Sequence, residues 1–159
     1  MDIIALLKDD HDNLKDLMEK VGKTTTRAEK ARREGAARCL AELLPHMRFE
    51  EAVLYPTVKE RADQEGKDLT DEAVVEHATA LELLKKLDDI ATDDEMWKAH
   101  FTVFKESVEH HIEEEQDDLF PKAKKLISRA ELEAMGEAYR RFKATGELLY
   151  QAPRPTAAA

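Results

Sequence analysis

The stretch at residues 108–121, VEHHIEEEQDDLFP, constrains this chain most, because it places His111 and Glu115 four residues apart inside an apolar helical pattern. On an α-helix, residues four apart differ by about 40° around the axis and about 6 Å along it, so both side chains point to one place. The stripe leading to this pair consists of Trp97, Phe101, Phe104 and Val108. This pattern predicts a buried helix face. A buried imidazole and carboxylate need a compensating partner, and a metal ion is one such partner.

A second His-x-x-x-Glu of the same spacing lies in LLPHMRFEEAVLYP, where His46 and Glu50 continue another apolar stripe. Two further histidines replace single apolar residues. His11 occupies one slot in the stripe of the first predicted helix, and His77 occupies one slot in the third. A lone histidine in such a stripe is more often a hydrogen-bonded core residue, so only the combination predicts a metal site.

Apolar periodicity predicts five helices. Their expected ranges are residues 2–21, about 24–59, 71–91, about 94–127 and 128–149. Residues 60–70 are polar with one glycine, which favours a loop, and the second helix is expected to be capped within residues 24–26. Thr70 or Asp71 is the expected cap of the third helix, and Pro45 is expected to bend the second helix just before His46. The last helix begins with the capping-box pattern of Ser128 and Glu131.

Short connections favour an all-α, up-down-up-down four-helix bundle, with the fifth helix against an end or flank. The expected buried face of the third helix is Val74, His77, Leu81, Leu84 and Leu87. His77 and His111 lie at similar distances from the turn between their helices. His11 lies about 11 residues before its turn and His46 about 22 after it, so the charged residues 28–35 are expected to overhang the bundle or to be partly irregular.

We expect one metal-binding domain over residues 1–150 and a disordered tail over residues 151–159, QAPRPTAAA. The ligand-bearing helices should lie within residues 1–127. The second and fourth helices share the His-x-x-x-Glu motif, but the sequence suggests no internal repeat of matching lengths.

Composition restricts the classes of function. Charged residues make up 38% of the chain and the formal net charge is −10, which argues against a nucleic-acid or anionic-membrane partner and favours cations. No apolar run approaches the roughly 20 residues that span a bilayer, and residues 1–13 lack the basic start of a signal peptide. The single Cys39 fits a reducing compartment. We therefore expect a cytoplasmic protein, either a monomer or a dimer.

If the four histidines lie at one depth, the core receives four imidazoles and two carboxylates. These candidate ligands are His11, His46, Glu50, His77, His111 and Glu115. The set exceeds what one tetrahedral zinc ion requires. Carboxylates that bridge and imidazoles that terminate suit a pair of first-row ions, with iron or manganese favoured by the mixed nitrogen and oxygen donors.

The order His, His-x-x-x-Glu, His, His-x-x-x-Glu resembles that of the hemerythrin-like cation-binding (HHE) family. The segments HMRFEEAVLYP and EHHIEEEQDDLFP are similar to its helix-two and helix-four signatures. The resemblance covers about residues 1–125, with the last helix as an extension seen in some bacterial members. It implies a non-haem centre of two iron ions, oxo- or hydroxo-bridged, in which Glu50 and Glu115 bridge the irons and the histidines are terminal ligands.

One position departs from the family pattern. The oxygen-carrying members have a His-x-x-x-His on the third helix, whereas Ala73 and Leu81 stand at that spacing from His77. The alternatives for the missing nitrogen are water, a neighbouring carboxylate (Glu51 or Asp118) and the phenolate of Tyr55. Such an oxygen-rich site favours peroxide chemistry or sensing over reversible oxygen transport.

Two kinds of function follow from the resemblance. The first is a redox-active di-iron protein that reacts with dioxygen, peroxide or nitric oxide, with catalase-like turnover in oxidative or nitrosative stress defence. The second is a non-enzymatic iron- or oxygen-sensing protein whose loading state is read by a partner. The plain alternative is a core of hydrogen-bonded histidines without metal. His110 is expected at the surface. His100 is expected on the same helix face as His111 but about 16 Å away, too far to share its centre. Cys39 is expected as a small core residue.

Overall fold

The computed structural model describes residues 1–153, which form seven α-helices and three short helical turns. The α-helices are α1 (Ile3–Gly22), α2 (Glu29–Phe49), α3 (Tyr55–Arg61), α4 (Gln64–Lys86), α5 (Glu95–Glu114), α6 (Phe120–Leu126) and α7 (Arg129–Thr145). The π-helical turns Glu50–Leu54 and Glu115–Leu119 join α2 to α3 and α5 to α6, so each of these pairs forms one long rod. A 3₁₀ turn, Leu87–Asp89, follows α4.

Four rods build the bundle: α1, α2 with α3, α4, and α5 with α6. α1 packs against α2 and α5, and α4 packs against the same two helices, so the rods close into a ring. α7 lies on the outside of α1 and α2. The predicted all-α four-helix bundle with an additional C-terminal helix is confirmed.

Two apolar clusters fill the bundle, one on each side of the predicted ligands. The first cluster joins the start of α1 to α7 and includes Ile3, Ile4, Leu7, Phe49, Met135, Tyr139 and Phe142. The second lies toward the other end and includes Leu14, Met18, Leu43, Trp97, Phe101 and Phe104. His11 falls between Leu7 of the first cluster and Leu14 of the second. The predicted ligands therefore occupy a polar layer between two apolar layers.

Buried Arg32 explains how α2 overhangs the end of α1. Its guanidinium donates to the carbonyl oxygens of Thr24 and Thr92, and it lies 4.8 Å from the ring centre of Trp97. Arg33 donates to the carbonyls of Leu87 and Ile90 at the end of α4. These bonds satisfy carbonyls at two chain reversals, so the early part of α2 is a regular overhanging helix from Glu29 onward. The N-cap is Ala28, without a side-chain bond, rather than a residue within 24–26.

The predicted loop at residues 60–70 is wrong, because α4 begins at Gln64. Asp63 caps it by accepting a hydrogen bond from the backbone N–H of Gly66. The prediction had placed the cap at Thr70 or Asp71 instead. The buried stripe of α4 includes Thr70, Ala73, His77, Ala80 and Leu84, so it lies one residue to the side of the predicted Val74 and Leu81 and keeps His77 and Leu84. Val74, expected in the core, is 40% exposed.

The two rods that carry π-helical turns match segment by segment. Their first helices have 21 and 20 residues, both π-helical turns have five, and both following helices have seven. Glu50 and Glu115 begin the π-helical turns, 65 positions apart. The chain therefore contains an internal repeat of matching lengths, contrary to the expectation from sequence. Pro45 lies inside α2, which continues to Phe49, and the departure from α-helical bonding comes at Glu50–Leu54.

The expected capping box at the start of α7 is present: Ser128 caps the helix and the Glu131 side chain bonds back to it. Gly136 lies where a side chain would collide with the backbone of residues 1–3, so it permits close packing of α7 on the start of the chain. The helix ends at Thr145, earlier than the predicted 149, with Gly146 in the left-handed conformation. Residues 151–153 of the predicted disordered tail have no regular structure, and residues 154–159 lie outside the described residues.

Within residues 1–153, every helix is too short or too polar to serve as a bilayer-spanning segment.

We predict that Glu131→Gln weakens the attachment of α7 in a pH-dependent way. Glu131 accepts two hydrogen bonds from Arg61 of α3, and these bonds, with those from Ser128, lower its pKa to about 2. The carboxylate therefore stabilises the fold above its ordinary pKa of 4.5, and this contribution is lost as the pH falls toward 2. Urea unfolding at pH 7 should show a loss of at most about 1 kcal/mol.

The matched control is Glu133→Gln, which removes only an exposed pair with Arg129 and should change stability less. The difference between wild type and Glu131→Gln should shrink as the pH approaches 2. A difference of the same size at pH 7 and pH 3 would contradict the assignment of this stabilisation to the carboxylate charge.

Candidate metal centre

The structure brings all six predicted ligand side chains to one place in the polar layer of the bundle. They are His11 from α1, His46 from α2, Glu50 from the first π-helical turn, His77 from α4, His111 from α5 and Glu115 from the second π-helical turn. Each of these residues is at most 6% exposed. Four rods therefore deliver nitrogen and oxygen donors to a site that is nearly closed to solvent.

The first set of donors, the His11/His46 group, contains two imidazoles and two carboxylate oxygens. The Nε2 atoms of His11 and His46 are 3.2 Å apart. Glu50 Oε1 lies 3.0 Å from His46 Nε2, and Glu115 Oε2 lies 3.1 Å from His11 Nε2. All four donor atoms lie within 4.8 Å of one another. The four donor atoms come from four separate segments of the chain and surround one small volume.

The second set, the His77/His111 group, shares the same carboxylates. The Nε2 atoms of His77 and His111 are 3.0 Å apart, and Glu50 Oε2 lies 3.3 Å from His77 Nε2. Glu115 Oε2 lies 3.5 Å from His111 Nε2. The two oxygens of Glu50 thus face different histidine pairs, while Glu115 lies between one histidine of each pair. This is the arrangement that carboxylates bridging two ions require.

The spacing of the donors fits metal coordination. Around an ion with bonds of about 2.1 Å, adjacent ligand atoms lie about 3.0 Å apart in octahedral and about 3.4 Å apart in tetrahedral geometry. The six contacts given above, from 3.0 to 3.5 Å, fall in or next to this range. Glu50 Oε1 and Glu115 Oε2 are buried, and the polar atoms that face them are the inner nitrogens of His46, His11 and His111 at 3.0 to 3.5 Å, in positions that do not meet hydrogen-bond geometry. Buried, unsatisfied carboxylate oxygens are the atoms that a bound cation would satisfy.

The two π-helical turns determine which side chains reach the centre. On an α-helix, residues five apart point about 140° away from each other. In a π-helical turn the hydrogen bond spans five residues, and here the N–H of Tyr55 donates to Glu50 O and that of Phe120 to Glu115 O. Tyr55 and Phe120 are thereby turned toward the same side as the two glutamates. The proline after each aromatic residue lacks a backbone donor, which favours an irregular turn at this point.

Tyr55 is the extra oxygen donor of the His77/His111 group. Its hydroxyl donates to Glu115 Oε1 at 2.6 Å and lies 3.3 Å from Glu50 Oε2 and 3.2 Å from His77 Nε2. Burial and the two carboxylates raise the pKa of Tyr55 above its usual value, so the phenol is protonated in the metal-free protein. Of the three side chains considered for the position of the missing fifth histidine, Tyr55 is the one that reaches the inner nitrogen of His77.

The two carboxylates considered for that position lie elsewhere. Glu51 contacts the outer nitrogen of His77, with Oε1 2.8 Å from Nδ1, so it is directed at the back of the imidazole. Asp118 is exposed. Phe120, the counterpart of Tyr55 in the second rod, stacks on His11 with ring centres 5.7 Å apart and supplies no donor atom. The two histidine groups are therefore chemically unequal.

Each histidine directs Nε2 inward and Nδ1 toward an outer polar side chain. The outer partners are Gln116 for His11 at 3.1 Å, Asp10 for His46 at 3.3 Å, Glu51 for His77 at 2.8 Å and Glu76 for His111 at 3.7 Å. The Asp10 and Glu51 carboxylates accept hydrogen bonds from Nδ1 of His46 and His77, which fixes these two rings and leaves their inner nitrogens free to bind a metal. The Gln116 amide nitrogen faces His11 Nδ1, and Glu76 lies beyond hydrogen-bond distance of His111 Nδ1. Sequence reasoning had missed Asp10, Gln116 and Glu76 as parts of the site.

The outer partners follow the internal repeat. Asp10 and Glu76 immediately precede His11 and His77, and Glu51 and Gln116 immediately follow the two motif glutamates. An acidic residue before each single histidine, and a carboxylate or amide after each motif glutamate, is a signal that comparing the halves of the sequence could have found.

α7 contributes to the site through Asp10. The Asp10 carboxylate accepts hydrogen bonds from Tyr139 and Lys143 of α7 as well as facing His46. Burial would raise the pKa of Asp10, but the bonds to His46, Lys143 and Tyr139 lower it to about 2. Asp10 is therefore held as a carboxylate in a fixed orientation behind His46. The C-terminal helix supplies no ligand, yet it positions the partner of one.

In the metal-free site, protonated histidines compensate the negative charge of the carboxylates. Burial alone would lower the pKa of His46, but Glu50 and Asp10 raise it to about 10. Burial likewise opposes protonation of His111, and Glu115 and Glu76 raise its pKa above the ordinary value. Glu50, despite its burial, has a pKa well below its usual range because of His46 and His77. Metal ions would replace these protons, so metal affinity should rise with pH.

The remaining candidates lie outside the centre. His100 bonds the carbonyl of Met96 through Nδ1, and His110 is exposed beside Glu114. Cys39 is fully buried, and burial raises its pKa to about 12, which makes the thiol unreactive. These positions agree with the readings made from sequence.

The fold and the donor set define a class: four-helix-bundle proteins with a core His/Glu cluster that could hold metal ions. The sequence profile described as the hemerythrin HHE cation binding domain matches residues 2–123. The chain therefore belongs to the hemerythrin HHE family, as the resemblance in its motifs predicted.

Two relatives support this assignment. The chain is 28% identical over 102 residues to an uncharacterized hemerythrin-like protein of Schizosaccharomyces pombe, covering 64% of this chain and 50% of the relative. The chain thus spans about half the length of that curated relative. A crystal structure of a hemerythrin HHE cation binding domain-containing protein from Mycobacterium kansasii superimposes with a TM-score of 0.77 at 26% identity, covering 91% of this chain and 86% of that one.

We predict that Asp10→Asn lowers the affinity of the His11/His46 group for metal by about 10- to 100-fold, because the carboxylate behind His46 is lost. The measurement is a stepwise titration of the metal-free protein against a competing chromophoric chelator. The matched variant Glu51→Gln should instead weaken the His77/His111 group. Two unchanged binding steps in Asp10→Asn, with the fold intact by circular dichroism, would contradict this role.

Proposed function

We propose that the core cluster binds two iron ions and that the protein reacts with dioxygen, peroxide or nitric oxide. The observation that carries this proposal is the position of Glu50, whose two carboxylate oxygens face different histidine pairs at 3.0 and 3.3 Å. One ion in each pair, with the glutamates between them, uses every donor. The proposed ligands are His11, His46, Glu50, His77, His111, Glu115 and Tyr55.

The donor set favours iron over the other first-row ions. Four imidazole nitrogens with carboxylate and phenol oxygens form a mixed, moderately hard set that suits iron or manganese. A closed structural zinc site uses four ligands, fewer than this cluster offers. When bound, a non-haem iron pair supplies one-electron and O₂ chemistry.

The chain's own residues hold and shield this site. Asp10, Glu51, Glu76 and Gln116 hold the four imidazoles from behind. The apolar clusters on both sides limit the access of water, which strengthens electrostatic interactions inside the layer. In the metal-free state the Tyr55 hydroxyl keeps its proton and donates it in a hydrogen bond to Glu115 Oε1 at 2.6 Å. That proton must leave if the phenolate is to bind metal.

The proposed physiological role is defence against oxidative or nitrosative stress in the cytoplasm, with catalase-like turnover. In that reaction one peroxide is oxidised to dioxygen and a second is reduced to two waters, so no external electron donor is needed. The second candidate is an iron- or oxygen-sensing protein without turnover. The convergence of four rods on one ligand layer favours it as an alternative, because metal loading would then stabilise the whole bundle.

One experiment separates these candidates. Iron-loaded protein is mixed with hydrogen peroxide and oxygen evolution is recorded, while the unfolding temperature is compared with and without iron. Rapid oxygen evolution supports the catalase-like function. Strong stabilisation by iron with negligible oxygen evolution supports the sensing function, and neither effect would overturn both.

We predict that His46→Ala and Glu115→Ala lose bound iron. Purified wild-type protein should contain about two irons per chain with visible charge-transfer absorption, since both residues supply donors to the shared layer. Metal analysis and the optical spectrum give the measurement, and His100→Ala, outside the layer, is the control. Unchanged stoichiometry and spectrum in both variants would show that the ligands lie elsewhere.

We predict that Tyr55→Phe keeps the iron but loses a phenolate-to-iron charge-transfer band. The substitution removes one oxygen from the His77/His111 group and leaves the ring that stacks on His77 at 5.5 Å. Absorption and resonance Raman spectra of the ferric protein provide the test. Identical spectra for wild type and Tyr55→Phe would limit Tyr55 to hydrogen bonding with Glu115.

A further inference from the structure

A second set of donors lies outside the core, at the seam between α4 and α5. We call Glu76, His110 and Glu114 the outer cluster. One donor atom of each lies within 4.8 Å of the others, and His110 Nε2 is 3.3 Å from Glu114 Oε1. His110 and Glu114 repeat the His-x-x-x-Glu spacing one residue before His111 and Glu115. The same helix therefore presents the motif twice, once inward and once toward solvent.

Glu76 connects the outer cluster to the core. Its Oε1 lies 3.7 Å from His111 Nδ1, and the His111 side chain is only 8% exposed. Neither that nitrogen nor Glu76 Oε2 has a hydrogen-bond partner among the described residues. A buried, unpartnered imidazole nitrogen is thus directed at the carboxylate that the outer cluster shares with the core. Unsatisfied buried polar atoms of this kind are expected where an ion or water binds.

The outer cluster has no counterpart in the first half of the internal repeat. The counterparts of His110 and Glu114 in the first half are Pro45 and Phe49, 65 positions earlier. Phe49 is fully buried, with its ring centre 5.0 Å from that of Tyr139 in α7. At the equivalent place in the second half, the His110 side chain is 66% exposed. One half is closed by α7, whereas the other presents three metal-binding side chains to solvent.

We infer that the outer cluster is a transit site, which takes up a divalent first-row cation from solvent and passes it to the core through the α4–α5 seam. One imidazole and two carboxylates suit such a cation. Asp71 and Glu72 line the same surface depression and add negative charge that attracts it. With only three partly exposed ligands, the outer cluster binds more weakly than the core, as transfer inward requires. The inference rests on the proposed function, because transfer needs a core that accepts the ion.

In the test, metal-free protein is mixed with Fe²⁺ under anaerobic conditions. Samples are quenched with a chelator at intervals, and the iron that remains bound to the protein is measured. His110→Ala and Glu114→Gln should slow loading by about tenfold, because each removes one of the three ligands of the outer cluster, while the final stoichiometry stays at the wild-type value. The controls are His100→Ala and Glu113→Gln, which make the same chemical changes at exposed or partly exposed positions on α5. They should load at the wild-type rate.

A second measurement tests the site at equilibrium. Iron-loaded protein titrated with Mn²⁺ should bind one additional, weak equivalent, and this equivalent should be absent in His110→Ala. Equal loading rates in all variants, or no additional equivalent in wild type, overturn the transit site. A lower final iron content in His110→Ala also overturns it, since the residue would then belong to the core. Failure of the wild type to load any iron refutes the proposed function itself, and transit with it.

Discussion

Two carboxylates, Glu50 and Glu115, are buried at the centre of the bundle, and the rest of the structure must compensate their negative charge. A buried, uncompensated carboxylate costs several kcal/mol, so the chain must bring positive charge to both. In the metal-free protein, protonated His46 provides such charge, and its pKa of about 10 reflects this role. The ligand-bearing residues of the four rods must therefore lie at one depth. For His46 this requires α2 to extend beyond the end of α1, and the hydrogen bonds of Arg32 hold α2 in that position.

The polar layer has approximate twofold order because the chain repeats itself. Each half contributes a histidine after an acidic residue, then a His-x-x-x-Glu that enters a π-helical turn and ends in an aromatic residue followed by proline. The π-helical turn has a specific consequence: it rotates the aromatic residue toward the glutamate that begins the turn. Tyr55 and Phe120 reach the layer for this reason, and the same residues on a continuous α-helix would point about 140° away.

Much of this could be predicted from sequence because both the fold and the inner donors follow from helical periodicity. All six core side chains could be identified because each is a histidine or glutamate at a position where the amphipathic stripe calls for an apolar residue. The start of α4 was misplaced because polar residues 60–70 favour a loop locally, whereas the Asp63 cap and the burial of Thr70 extend the helix. The π-helical turns and the outer partners depend on backbone geometry and on contacts between distant helices. Periodicity along one helix carries no information about either.

The surroundings of the His11/His46 group differ from those of the His77/His111 group. Around His46, α7 fixes Asp10 through Tyr139 and Lys143, and Phe120 covers His11 with an apolar ring. Around His77 and His111, Tyr55 adds an oxygen and Glu76 reaches a solvent-exposed seam. Under the proposed function, the His11/His46 group would hold an ion with two nitrogens and two carboxylate oxygens, beneath the Phe120 ring and beside α7. The His77/His111 group would hold an ion with the additional Tyr55 oxygen, which favours a higher oxidation state. A small oxidant would then have a reason to react at one ion of the pair rather than at both. Three differences between the two copies of the repeat produce this inequality: Tyr55 opposite Phe120, His110 opposite Pro45, and Glu114 opposite Phe49.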